Sequence, residues 1–159
     1  MCSSDLTASY AVANGTGAYG SLAVDAATGA WTYTLDNEAH QNLAAGESHV
    51  ETFTVVVTDD KGGTAEQTVS VTVNGNNDAP VITSGVQTGS VTEDTSLVAT
   101  GQVTSSDIDH GATASYAVAN GTGAYGSLAV DAATGAWTCT LDNEAHQNLA
   151  AGESHVETF

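Results

Sequence analysis

The chain has 159 residues, 41% of them hydrophobic, and sets nineteen carboxylates against one cation, Lys61, for a formal net charge of −18. That balance excludes nucleic acid as a partner, because binding it requires Lys and Arg to displace counterions, and it argues equally against an anionic membrane surface. The apolar content is that of a folded domain, and no apolar run approaches the roughly 18 residues of a membrane span.

Met1-Cys2-Ser3-Ser4-Asp5-Leu6 has no counterpart later in the chain and reads as a non-native scar. From Thr7 the chain repeats itself: Thr7–Phe53 recurs as Thr113–Phe159, and Tyr33/Cys139 is the one mismatch. A period of about one hundred residues is a whole small domain rather than a solenoid unit. The expected organisation is residues 7–75 as the C-terminal part of a first repeat, 76–80 as a linker, and 81–159 as the N-terminal part of a second. Both copies are then truncated, which predicts a poorly ordered C-terminal end or an exchange of strands between molecules. Cys2 and Cys139 form neither a disulfide framework nor a CxxC pair.

Within the repeat, Asn14-Gly15-Thr16 fits a glycosylation sequon but reads as a turn. Gly20–Val24 and Ala30–Leu35 flank Asp25-Ala26-Ala27-Thr28-Gly29 as a hairpin, duplicated at 126–141. Trp31 and Tyr33 are expected to anchor the core, so Cys139 should leave a void in the second copy. Asp36–Leu43 predicts a short helical turn with Leu43 dipping inward. A last hairpin runs from Glu51 to Thr58, turns at Asp59-Asp60-Lys61-Gly62-Gly63 and returns from Ala65 to Val73, with Val69, Val71 and Val73 alternating with polar residues.

Asn74-Gly75-Asn76-Asn77-Asp78-Ala79-Pro80 holds the chain's single proline and reads as a joint. Past it, Val81–Thr83, Gly89–Thr92, Leu97–Val103 and Ser115–Val118 carry strand signals. Short Val- and Thr-rich strands without a long helix predict an all-β fold of sandwich modules in tandem.

Oxygen donors crowd the joint at Asn76, Asn77 and Asp78, and Asp107-Ile108-Asp109-His110-Gly111 is a D-x-D-x-G loop. Alternate carboxylates on an extended loop suit Ca²⁺, which takes six to eight oxygens at about 2.3–2.6 Å. His40, His49, His110, His146 and His155 lack the spacing of a transition-metal site, and no nucleophile motif is present.

Five segments in order resemble the VCBS repeat: Gly17–Leu22, Gly29–Asp36, Leu43–Glu47, Phe53–Asp59 and Asn74–Pro80. The resemblance implies an immunoglobulin-like or cadherin-like sandwich, strung in tandem in large bacterial RTX-type adhesins exported by type I secretion. By similarity to cadherin joints, Asp36 and Glu38 resemble the acidic pair before a late strand, and Asn76, Asn77 and Asp78 resemble the linker. Asp107 and Asp109 resemble the D-x-D of the following domain, Asp59 resembles a ligand serving the preceding linker, and Glu93 one serving the next. The implied cofactor is Ca²⁺ and the implied partners are neighbouring repeats, with surface glycans or other cells as further candidates. The implied location is extracellular or the bacterial cell surface, and the implied role a calcium-stiffened spacer in adhesion or biofilm formation, not an enzyme. The alternatives are a glycan-binding module, with Tyr10 and Tyr19 as its sugar platforms, and the stalk of a large secreted hydrolase.

Overall fold

A computed structural model of the chain describes residues 7–159, so the expected scar lies outside it. The described residues form ten strands and no helix. They divide into two compact units: one runs to Asp78 and takes in Ile108–Gly111, the other comprises Ala79–Asp107 and Ala112–Phe159.

The first unit contains β1 (Ser9–Val12), β2 (Gly20–Val24), β3 (Trp31–Leu35), β4 (Ser48–Thr58) and β5 (Thr64–Asn74). β1, β4 and β5 make one antiparallel sheet, while β2 and β3 make a two-stranded ribbon. The period of two decides what is inside: Glu51, Phe53 and Val55 of β4 and Val73 of β5 are buried, and their odd-numbered neighbours Val69 and Val71 are half-buried. Leu22, Phe53 and Val55 form the core, with Tyr10, Val12, Val24, Tyr33, Val69 and Val71 packed against it.

Turn chemistry closes both hairpins. Asp25 Oδ1 accepts from the amides of Ala27 (3.0 Å) and Thr28 (2.8 Å) and from the Thr28 hydroxyl (2.8 Å). Gly29 then takes a positive φ of 74°, which a glycine adopts without strain. Asp59 Oδ1 does the same for β4–β5, accepting from Lys61 N (2.9 Å) and Gly63 N (2.7 Å). The sequon segment is indeed a turn, with Asn14 Oδ1 accepting from Thr16 N at 3.2 Å.

The second unit contains β6 (Val81–Ile82), β7 (Val98–Gln102), β8 (Ser105–Ser106), β9 (Gly126–Val130) and β10 (Ala136–Leu141). β7, β10 and β9 form a sheet, and β6 pairs with β8. Trp137 is the centre of its packing, at 7% exposure. A Cβ built on Gly101 would stand 2.6 Å from the indole nitrogen, so β7 needs glycine where the ring crosses it. The indole N–H donates to Gln87 Oε1 at 3.1 Å.

Three expectations are corrected. The 36–43 segment is a turn at Asn37–Ala39 without helix, Gly89–Thr92 contributes only a Thr92↔Ser96 bridge, and Ser115–Val118 is not a strand. The second copy's counterpart of β4, Ser154–Phe159, also forms no strand. Ser115–Val118 and Ser154–Phe159 have the same sequences as the strand segments Ser9–Val12 and Ser48–Phe53, so local propensity is not the cause of their difference. β1 pairs with Val55–Thr58 and β4 pairs along its whole length with β5. The stretch 54–74 that supplies those partners occurs once in the chain.

The expectation for Trp31 is corrected for the same reason. It is 50% exposed, whereas Trp137 is buried because β10 has β7 on its second edge. Among the described residues β3 pairs only with β2. Tyr33 does pack on the core, as expected.

Candidate functional site

In the first unit the joint residues meet the D-x-D loop. The Asp78 amide donates to Asp109 Oδ2 at 2.9 Å, and Asp109 is 7% exposed. His110 N donates to the Asn42 carbonyl at 2.9 Å, and its ring nitrogen Nδ1 lies 3.3 Å from Glu47 Oε1. Glu47 is itself fixed: Oε2 accepts from Ala44 N at 3.0 Å, and its carbonyl accepts from Gly75 N at 2.9 Å. The Ala44 amide first, and then the His110 ring, hold the Glu47 carboxyl below its ordinary value. Gly75 packs against the Leu43 and Ala44 carbonyls, leaving no room for a Cβ. Asn77 Nδ2 donates to the Asp78 carbonyl at 2.5 Å.

Asp36 and Glu38 are exposed; Asp36 Oδ1 accepts from Ala39 N at 3.4 Å, and its carbonyl contacts His40 Nδ1 at 3.1 Å. Asp59 serves the β4–β5 turn. Asp107 follows β8 in the second unit and is half-buried. Glu93, also in that unit, lies in the Thr92–Ser96 turn, and its Oε2 is buried with no hydrogen-bond partner among the described residues.

Sequence reasoning missed the residues around Glu93. Asp94 adopts a left-handed φ of 61°, which Asp tolerates better than most side chains. Its amide donates to Asn143 Oδ1 (2.8 Å), and its Oδ1 accepts from Asn143 Nδ2 (3.0 Å) and Gln147 Nε2 (3.3 Å). The Asp142-Asn143-Glu144 loop, the second copy of the Asp36–Glu38 segment, is thereby tied to the turn holding Glu93. The adjacency of Glu93 and Asp94 was the only signal.

The structure thus joins Asp78 to Asp109 in one unit and sets Glu93 beside the Asp94–Asn143 link in the other. Among the described residues no three His, Cys, Asp or Glu side chains gather as a metal site. An ion here would draw on amide and main-chain oxygens as well as carboxylates. The all-oxygen donor set and the orphaned Glu93 oxygen fit a hard cation such as Ca²⁺.

A second buried carboxylate was also missed, although its parity with Phe53 and Val55 marked it. Glu51 is 5% exposed. Its Oε1 accepts from Tyr19 N at 2.8 Å and its Oε2 from the Tyr33 hydroxyl at 2.5 Å. Burial pushes the Glu51 carboxyl up, but the Tyr33 hydroxyl and the backbone N–H groups of Tyr19 and Ala18 outweigh it and hold the carboxyl below 4.5. Tyr33 is pushed up to about 12 by burial, and then by its bond to Glu51 and the charge there. In the second copy Glu157 keeps the bond from Tyr125 N, at 2.8 Å, with Cys139 in place of the phenol.

The histidines pack as rings. His40 and His49 each lie 4.7 Å from Tyr19 between centroids, and His146 and His155 take the same positions on Tyr125 at 4.6 and 4.5 Å. Of the two tyrosines considered for sugar stacking, Tyr19 is thus covered by imidazoles and Tyr10 packs on the core.

Antiparallel sheets facing a Val- and Phe-lined core, with acidic loops at the joint, define a cadherin-like β-sandwich repeat. The chain belongs to the bacterial cadherin-like domain family, which matches it twice, over residues 3–75 and 77–159. Domains of this kind are structural and adhesion modules, typically without enzymatic activity. Among solved structures the chain is similar to the protocadherin gamma B4 extracellular domain, with 20% identity and a TM-score of 0.43. The similarity covers 89% of this chain and 23% of that one. No curated protein sequence matches it.

Proposed function

We propose that the chain is a piece of a secreted or cell-surface bacterial adhesin of the VCBS type, in which successive repeats act as calcium-stiffened spacers. The observation that carries this reading is the Asp78–Asp109 contact: a buried carboxylate of the D-x-D loop is held on the amide of the joint. Asp36, Glu38, Asn76, Asn77, Asp78, Asp107 and Asp109 are the proposed ligands at this joint, with Asp59 and Glu93 serving the joints on either side. The ion would supply positive charge where one lysine faces nineteen carboxylates, relieving repulsion that loosens the compact state. The chain's own residues orient the site: the Asp78 amide holds Asp109, and the Asp94–Asn143 bonds hold the loop beside Glu93.

Thermal unfolding with Ca²⁺, Mg²⁺ and chelator tests this. At calcium near 100 times Kd the gain is about 2.7 kcal/mol, or roughly 10–20 °C in a repeat-sized unit. Mg²⁺, which demands a small octahedral shell, should give far less. Asp107→Asn with Asp109→Asn should abolish most of the calcium response. Melting and scattering curves that are the same in calcium and in chelator would overturn the proposal.

A further inference from the structure

Three Asn-Gly pairs occur in the chain: Asn14-Gly15, its second copy Asn120-Gly121, and Asn74-Gly75 at the joint. An asparagine followed by glycine has a nucleophile at hand in the next main-chain nitrogen, and glycine has no Cβ to hinder its approach to the side-chain carbonyl. The fold treats the three pairs differently.

Asn14 is exposed, and its Oδ1 accepts from Thr16 N at 3.2 Å. That bond folds the side-chain amide back over the Gly15 peptide and draws electron density from Cγ. Asn120 repeats the arrangement: it is exposed, and its Oδ1 accepts from Thr122 N at 3.3 Å. Among the described residues neither the Gly15 amide nor the Gly121 amide has an acceptor. The first copy carries the strands that follow this turn in the repeat, and the second carries those that precede it. Neither set covers the turn, so its openness does not depend on which strands are present. Glycine is fixed at both positions, because a Cβ would strike the carbonyl of Leu22 or Leu128.

Asn74 is the contrast. It ends β5, paired with Ser48, and the Gly75 amide donates to the Glu47 carbonyl at 2.9 Å. That nitrogen is engaged, and attack requires the bond to open first.

We propose that Asn14 and Asn120 are sites of spontaneous deamidation, while the fold protects Asn74. Gly15 N loses its proton and bonds to Asn14 Cγ. The Cγ–Nδ2 bond breaks, and ammonia leaves with the proton. Water then opens the cyclic imide at one carbonyl or the other, giving aspartate or isoaspartate. Reaction at both sites takes the formal charge from −18 to −20. The isoaspartate also inserts a methylene into the main chain between β1 and the Thr16↔Ser21 bridge. The joint is spared.

The test holds the full chain at mildly alkaline pH, folded and in denaturant, and samples it over time. Cleavage after Lys61, the one basic residue, puts Asn14 on one fragment and Asn74 with Asn120 on the other, and fragment masses locate each change. In the folded chain Asn14 and Asn120 should convert together, as mixtures of aspartate and isoaspartate. They should do so at least about tenfold faster than Asn74, whose amide reacts only when it opens locally. In denaturant Asn74 should catch up. Asn14→Gln, whose longer side chain can close only a larger ring, should stop conversion at that position and leave Asn120 unaffected. The proposal is overturned if Asn74 converts as fast as Asn14 in the folded chain, or if Asn14 and Asn120 are as slow as Asn74. Aspartate formed without isoaspartate would overturn it too, since that product mixture means direct hydrolysis by water.

Discussion

Cys139 and Tyr33 show how much one side chain decides. In the first unit the phenol reaches Glu51, so a buried carboxylate has both a hydroxyl and main-chain donors. Tyr33→Phe keeps the ring and removes the hydroxyl, which should cost the first unit about 2 kcal/mol, the usual worth of a bond to a charged group; denaturant unfolding measures it. The two groups also set opposite pH limits. The Glu51 carboxyl is held below its ordinary 4.5, so its stabilisation is present above that value and lost as pH falls through the folded pKa. Glu51→Gln should flatten the acid limb of the stability curve. Tyr33 is raised to about 12, so its contribution is full below 10 and fades as pH climbs toward 12. An absorbance titration should show a late phenolate that Tyr33→Phe deletes.

The hairpins are the elements that hold regardless of context. β2–β3 and β9–β10 form in both copies, each closed by an Asp at the first turn position that accepts from two amides and a Thr hydroxyl. Hydrogen bonds from the Thr134 side chain, the Thr134 amide and the Ala133 amide hold Asp131 below its ordinary value, as their counterparts do Asp25. Beyond the hairpin the third strand matters. β7 covers Trp137 only because Gly101 lets the indole lie on its backbone. Gly101→Ala should destabilise the second unit by about 1–3 kcal/mol, the range for overpacking, with the Trp137 emission moving toward that of exposed Trp31. A Trp31→Phe background makes that shift readable. An unchanged spectrum and midpoint would show that the β7–β10 contact gives more readily than the geometry implies.

At the scale of the whole molecule, charge dominates. With nineteen carboxylates and one lysine, whose ammonium is paired with Asp60 at 2.6 Å, self-repulsion goes nearly unanswered within the chain. In chelator, raising NaCl should increase the melting temperature steadily as the Debye length shrinks from about 30 Å at 0.01 M to about 10 Å at 0.1 M. Calcium should replace most of that salt effect at far lower concentration. A melting temperature indifferent to salt in chelator would mean that the acids are too dispersed to repel one another.

Much of this was written in local patterns. The alternation in 51–57 and 69–73 and the Asp-and-Gly turns identify strands and hairpins. These features depend on a residue and its near neighbours alone. The D-x-D loop and the joint were equally legible as oxygen-rich segments, and the link between Asp78 and Asp109 joins two of the residues they nominated. The partner of each strand was not legible. Ser48–Phe53 and Ser154–Phe159 have one sequence and two structures, and so do Ser9–Val12 and Ser115–Val118. Trp31 and Trp137 differ in exposure for the same cause. The period-two pattern says which face of a strand is apolar, but only a neighbouring strand, brought from elsewhere along the chain, satisfies its backbone and covers that face. Sequence alone therefore determined the hairpins, their turns and the apolar face of each candidate strand, and the tertiary structure decided which candidates became strands.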